Sequence, residues 1–220
     1  MTDGRSCKRM REQQNTRPVN IAVFVSGGGT NLQALIDAQE SGIIKSGRIR
    51  LVIASRSDAY ALERAANAGI DAFAISKKMY GSQEAAEKEI EKKLSEYEID
   101  LIVLAGYLSI LSADFTRRWD HRIINIHPAL IPSFCGKGFY GLRVHEEALR
   151  YGIKVTGATT HFVNEIPDGG EIIMQKAVNV EPGDTPEVLQ RRVMEQAEWI
   201  ILPLSVEKTA AAIKTERDSQ

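Results

Sequence analysis

Val19-Asn20-Ile21-Ala22-Val23-Phe24-Val25-Ser26-Gly27-Gly28-Gly29-Thr30-Asn31 is the stretch that decides the fold. A short apolar run rich in branched side chains leads straight into Ser-Gly-Gly-Gly. Such a run reads as a strand buried on both faces of a parallel sheet, followed by a tight turn. Asn31 to Gln39 then places Leu32, Leu35 and Ile36 on one helical face, and Gly42 ends the helix.

The same alternation continues outward. Ile49–Ala54 is a second strand candidate, Ala59–Ala68 a helix closed by Gly69, and Ala72–Ile75 a short third strand. Ser82–Tyr97 is a charged amphipathic helix, and Asp100–Leu104 and Arg122–Ile126 are the fourth and fifth strands. Strands alternating with helices imply βαβ crossovers. The predicted fold class is therefore α/β: a single-domain, mostly parallel twisted sheet, Rossmann-like, with helices on both faces. The second half changes character. Thr156–Val163 and Glu171–Val180 are longer, more polar strands around a Pro-Asp-Gly-Gly loop, which predicts an antiparallel addition in the C-terminal half. A long helix is expected over Pro186–Lys208, bent at Pro203. The domain is expected over 19–213, between a polar, basic and disordered tail at 1–18 and a polar tail at 214–220.

A chain of 220 residues with 43% hydrophobic content suits one such domain. A net charge of −1 gives no general attraction to nucleic acid or to an anionic membrane. No apolar run reaches the length of a membrane span, and the start has no apolar core of a secretory signal. Two cysteines, Cys7 and Cys135, do not make a disulfide framework, so a cytoplasmic location is expected.

Ser26–Asn31 joins the first strand to the first helix. Small residues let backbone N–H groups approach an anion, and the helix N-terminus adds its positive dipole end. A phosphate held by Gly29, Thr30 and Asn31 is one reading; a structural turn without a ligand is the other. The dinucleotide fingerprint fails because Leu32 stands where the third glycine belongs, and the P-loop pattern is absent.

Asn125-Ile126-His127-Pro128 follows the apolar pair Ile123-Ile124. Asn125 can donate from its amide and His127 can carry a proton near neutral pH. Pro128 stops the strand. A satisfied core histidine at a strand end is the plainer reading of this cluster taken alone. Asp168-Gly169-Gly170 could place a carboxylate near His127, although locally it also reads as an ordinary turn between strands. No metal is expected: His145-Glu146-Glu147 fails the H-E-x-x-H pattern at Leu149, and His145 is expected to cap or pack near the substrate loop. Cys135 has no evident general base beside it.

In chain order, the segments Ser26–Asn31, Leu104–Leu111, Asn125–Pro132, Gly157–Val163 and Asp168–Gly170 together resemble the folate-dependent phosphoribosylglycinamide formyltransferases of purine synthesis. The resemblance spans roughly 19 to 203. It implies formyl transfer from 10-formyltetrahydrofolate, a co-substrate, to the amine of glycinamide ribonucleotide. It assigns catalysis to Asn125, His127 and Asp168. It places the ribonucleotide phosphate and ribose against Gly28, Gly29, Thr30, Asn31, Gly106 and Glu198. The folate is assigned to Leu108, Ser109, Ile110, Leu111, Asn125, Val163, Asn164 and Asp168. The partners implied are small molecules, with neither nucleic acid nor membrane, and a monomer or weak homodimer. Gln83 and Ser109 stand where arginines are common in the family, and Pro167 where leucine is usual. Ser133–Gly141 is longer than in the best-known members.

Rival readings stay within reach of the same core. A methionyl-tRNA formyltransferase is expected to carry a further C-terminal domain, and a formyltetrahydrofolate deformylase an N-terminal regulatory one. A non-catalytic nucleotide-binding protein would have no use for Asn125, His127 and Asp168 together.

Overall fold

The computed structural model describes residues 17–219 of the chain. The tail expected over 1–18 lies, apart from Arg17 and Pro18, outside the described residues, as does Cys7. The strands are β1 (Val19–Val25), β2 (Gly47–Ala54), β3 (Asp71–Ala74), β4 (Leu101–Leu104), β5 (Ile123–His127), β6 (Val155–Phe162) and β7 (Ile172–Asn179). They form one sheet in the order β3-β2-β1-β4-β5-β6-β7. β1 to β5 run parallel, while β6 is antiparallel to β5 and β7 to β6. This is the expected parallel sheet with an antiparallel C-terminal addition.

The helices are α1 (Thr30–Glu40), α2 (Ala61–Asn67), α3 (Lys77–Tyr80), α4 (Gln83–Glu96), α5 (Ala113–Arg118), α6 (Leu142–Tyr151), α7 (Pro186–Val193) and α8 (Trp199–Asp218). Strand pleating divides the core between the two faces of the sheet. From β1, Val19, Ile21, Val23 and Val25 pack with Leu32 and Leu35 of α1 and with Ile201, Leu202 and Val206 of α8. Ala22 and Phe24 point the other way, onto Ile90 and Leu94 of α4 and Phe115 of α5. Each large side chain buried in this way contributes about 2 kcal/mol relative to exposure.

Capping explains several helix starts. The Ser82 hydroxyl accepts from Ala85 N–H at 3.0 Å, Ser112 from Phe115 N–H at 3.1 Å, and Thr185 from Val188 N–H at 3.3 Å. Helices α3, α5 and α6 were not expected from the sequence. The first two are too short to show an apolar period. The third starts at Gly141, with no side-chain cap, although left-handed Gly152 closes it.

The expected helix Pro186–Lys208 is corrected in two ways. It continues to Asp218, so 214–218 are helical. It also carries a π-helical segment at Met194–Glu198, and Pro203 lies inside the α8 helix that follows. Proline lacks the N–H that would bond the carbonyl four residues back, at Trp199, which is where the wider segment ends.

β1 and β4 lie side by side, and the chain leaves β1 toward β2 on the opposite flank. Connections that depart to opposite sides open a crevice beyond the carboxyl ends of the strands. The Ser26–Gly29 turn, Gly106 and His127 all lie at that edge.

Candidate active site

Asn125 and His127 are two apart in β5, so they share a sheet face while Ile124 and Ile126 pack into the core on the other. The antiparallel register pairs Asn125 with His161 of β6. A register shift between Thr160 and His161, where the β6–β7 ladder is irregular, falls at this partner. The Asn125 amide nitrogen lies 3.1 Å from His161 Nε2 and 3.4 Å from Asp168 Oδ1. His161 Nδ1 lies 2.8 Å from the Phe162 carbonyl. That carbonyl can only accept, so Nδ1 carries a hydrogen, and Nε2 faces both the Asn125 amide and Asp168 Oδ1.

Asp168 comes from the loop between β6 and β7 and sits at φ 56°. Gly170 lets that loop press against the sheet: a Cβ there would fall inside the Phe162 carbonyl. Asp168 Oδ2 lies 3.6 Å from His127 Nδ1, Asp168 Oδ1 lies 3.5 Å from His161 Nε2, and Oδ2 accepts from Gly136 N–H at 2.8 Å. His127 Nε2 contacts the Phe134 carbonyl at 2.8 Å. The structure thus brings Asn125, His127 and Asp168 together and adds His161, Phe134 and Gly136. The sequence carried no local signal for these three: one depends on cross-strand register, and two act through backbone atoms.

Burial is the largest single influence on each of these groups. It pushes the His127 imidazole below its ordinary value, against the pull of Asp168 and the Phe134 carbonyl, and His161 adds to the lowering. Burial also works to raise the Asp168 carboxyl. The His161 hydrogen bond, the His127 charge and the Gly136 N–H together outweigh it, so Asp168 stays below the usual carboxylate range. His145 of α6 is fully buried, and its ring nitrogens have no partner among the described residues. Burial and then His127 push it down to about 4. It packs beside the site, as expected. Burial and then Asp168 raise the Cys135 thiol, which disfavours the thiolate.

The glycine turn carries the second cluster. Gly29 adopts φ 70°, and a Cβ there would lie 2.6 Å from that of Ala61. Asn31 Nδ2 donates to Glu198 Oε2 at 2.6 Å, while Asn31 Oδ1 is buried without a partner. Glu198 belongs to the π-helical segment, where burial pushes its carboxyl up to about 7 against the Asn31 hydrogen bond. Thr30 Oγ1 lies 3.8 Å from Met194 Sδ. Arg64 was not anticipated: its Nε donates to the Gly28 carbonyl at 2.8 Å and its Nη1 to Gln33 at 3.0 Å. It braces the turn from α2. Gly106 adopts φ 78° just past β4.

Of the residues assigned to the folate, Leu108–Leu111 follow β4 at the same edge, whereas Val163 N–H bonds the Ile123 carbonyl at the start of β5. Leu108 N–H donates to Ser26 Oγ at 2.8 Å, linking this strip to the glycine turn. Leu108 and Ile110 are exposed, while Leu111 and Val163 pack against the core. Gln83 Nε2 donates to the Ile110 carbonyl at 3.0 Å and so supports the strip. Asn164 Oδ1 accepts from Ile166 N–H at 2.9 Å, shaping the start of the Asp168 loop. Ser109, next to Leu108, is half-buried. An apolar cleft of about 550 Å³ between α1 and α8 meets the glycine-turn cluster at Thr30, Gln33 and Arg64.

Among the described residues no group of three or more His, Cys, Asp or Glu side chains is arranged to hold a metal ion. No helix among them is long and apolar enough to cross a membrane.

Residues 19–205 match the formyl transferase family. The chain is 39% identical over 188 residues to the phosphoribosylglycinamide formyltransferase of Escherichia coli K12, covering 86% of this chain and 85% of that protein. It is 40% identical over 195 residues to the human trifunctional purine biosynthetic protein adenosine-3, covering 89% of this chain; it spans only 19% of that longer protein. The glycinamide ribonucleotide transformylase 1 structure from Symbiobacterium toebii superposes with a TM-score of 0.82 at 41% identity, covering 89% of each chain.

Proposed function

Since the chain belongs to the formyl transferase family, we propose that its site transfers a formyl group from 10-formyltetrahydrofolate to the amine of glycinamide ribonucleotide. The products are formylglycinamide ribonucleotide and tetrahydrofolate, a step of purine biosynthesis. The convergence of Asn125, His127 and Asp168 at the carboxyl end of β5 carries this reading. Asn125 and protonated His127 donate hydrogen bonds to the formyl oxygen as charge develops there. Asp168, held ionised, stabilises the imidazolium and relays the proton lost by the attacking amine toward the departing folate nitrogen.

Gly28, Gly29, Thr30, Asn31 and Gly106 hold the phosphate, and Glu198 holds the ribose. The unpartnered Asn31 Oδ1 and the buried Glu198 carboxyl fit a ligand rich in hydroxyl donors. The exposed Leu108 and Ile110 offer the apolar strip that a flat pterin ring needs. In this reading the domain includes α8 to its end at Asp218 and acts in the cytoplasm as a monomer or weak homodimer, without nucleic acid or membrane.

The test is incubation with both substrates while tetrahydrofolate release is followed. Release that requires the ribonucleotide supports the reading. Release without it would mark a deformylase and refute the reading.

A further inference from the structure

We infer that the Phe134 backbone carbonyl selects which nitrogen of His127 works, making Phe134 a positioning residue for formyl transfer. The inference rests on the role proposed for His127, but its geometry does not. The imidazole is buried and meets two oxygens, the Phe134 carbonyl at Nε2, 2.8 Å, and Asp168 Oδ2 at Nδ1, 3.6 Å. A carbonyl oxygen only accepts. Nε2 therefore carries its hydrogen in the neutral and the charged ring alike. The proton that comes and goes is the one on Nδ1, beside Asp168, and the formyl oxygen must be served from that side. The longer Nδ1 contact leaves room for such an exchange.

The segment that supplies the carbonyl is built to hold it. Phe134 adopts φ 49°, a left-handed conformation that a bulky L-residue takes at a cost of about 1 kcal/mol. Its ring is wedged edge-on against Phe139 and Tyr151, with centroids 6.2 Å away in each case. An observed backbone outlier at a catalytic group points to a function for the strain. Two residues on, Gly136 N–H donates to the Asp168 oxygen that faces Nδ1. One stretch of backbone thus orients the imidazole from one side and its carboxylate from the other. Asp168 and the Phe134 carbonyl both favour the charged ring, in opposition to burial.

The experiment uses the ligand-free full chain labelled with nitrogen-15 in histidine, with the four histidines distinguished by single substitution. Long-range proton–nitrogen correlation spectra across the imidazole titration report the tautomer of neutral His127. The expected result is Nε2–H in the wild type and in Phe134→Tyr, which keeps the aromatic wedge. In Phe134→Gly a mixture of tautomers is expected. It should be accompanied by a fall in kcat on the order of 100-fold with the ribonucleotide KM unchanged. A neutral His127 that is mainly Nδ1–H in the wild type overturns the inference. So does a folded Phe134→Gly variant with full kcat. If Phe134→Gly does not fold, the wild-type tautomer decides alone. Because the tautomer is read without substrate, an Nε2–H ring in a chain lacking transferase activity would sink the functional reading and, with it, the role in transfer, while leaving the control of the tautomer by the Phe134 carbonyl standing.

Discussion

Glu198→Gln should remove a pH dependence of stability that the wild-type chain carries. The carboxyl is fully buried, makes one hydrogen bond to Asn31, and titrates at about 7 against an ordinary value of 4.5. Its folded value lies above its unfolded one, so the folded state holds the proton more tightly. The stability this contributes is complete below the unfolded value and is lost as pH rises through about 7. The offset corresponds to about 3 kcal/mol over the full titration. About 2 kcal/mol of that falls between about pH 5.5 and about pH 8. Glutamine has nearly the same shape and can accept from Asn31 Nδ2, but it does not titrate. Urea unfolding of both proteins at the two pH values, without substrates, isolates the group because every other titration is shared. The wild type should lose about 2 kcal/mol relative to the variant on going to the higher pH, or about 5 °C in Tm. Parallel losses in the two proteins would refute the argument that Glu198 is neutral and buried in the folded chain at mildly acidic pH.

Other substitutions probe the remaining parts. Asn125→Ala and His127→Ala should each lower kcat on the order of 100-fold or more while leaving the circular dichroism spectrum intact; near-normal transfer by either variant removes it from the catalytic group. Asp168→Asn should cut turnover strongly while isothermal titration still detects the ribonucleotide, and unchanged turnover would mark Asp168 as a plain turn residue. Gly170→Ala drives a methyl into the Phe162 carbonyl and should cost about 2 kcal/mol by thermal unfolding. Gly27→Ala, with nothing within 4 Å of the added carbon, is the comparator and should match the wild type in the same melt.

The parts of this fold that could be read from the sequence are those whose physics is local. β1 is apolar without alternation because both of its faces are covered, and β5 shows its chemistry because strand pleating sends Asn125 and His127 to one side. Neutral packing residues in a two-sided sheet leave an amide and an imidazole conspicuous. Asp168 was legible as a partner of those side chains through the family resemblance, and their other partners were not. His161 joins the site only through the pairing of Asn125 with β6, a contact between residues far apart in the chain. Arg64 reaches the glycine turn from α2, and nothing near it in sequence hints at the Gly28 carbonyl. The loop after β5 works through the carbonyl of Phe134 and the N–H of Gly136, atoms that any residue would supply. Helix α6 was not read from the sequence, although Val144, His145 and Ala148 share its buried face.

The π-helical segment at Met194–Glu198 separates two packing obligations that a continuous α-helix would tie together. Each residue of an α-helix advances the face by about 100°, so one orientation fixes all the others. Here α7 must bury Leu189 and Val193, while α8 must bury Ile201, Leu202, Val206 and Ala210. The wider turn acts as a phase slip between those two stripes and falls where Glu198 enters the site. The aim of one carboxylate can therefore be adjusted within the segment while both stripes keep their register. Removing a single residue from it would force a choice between the carboxylate and a stripe.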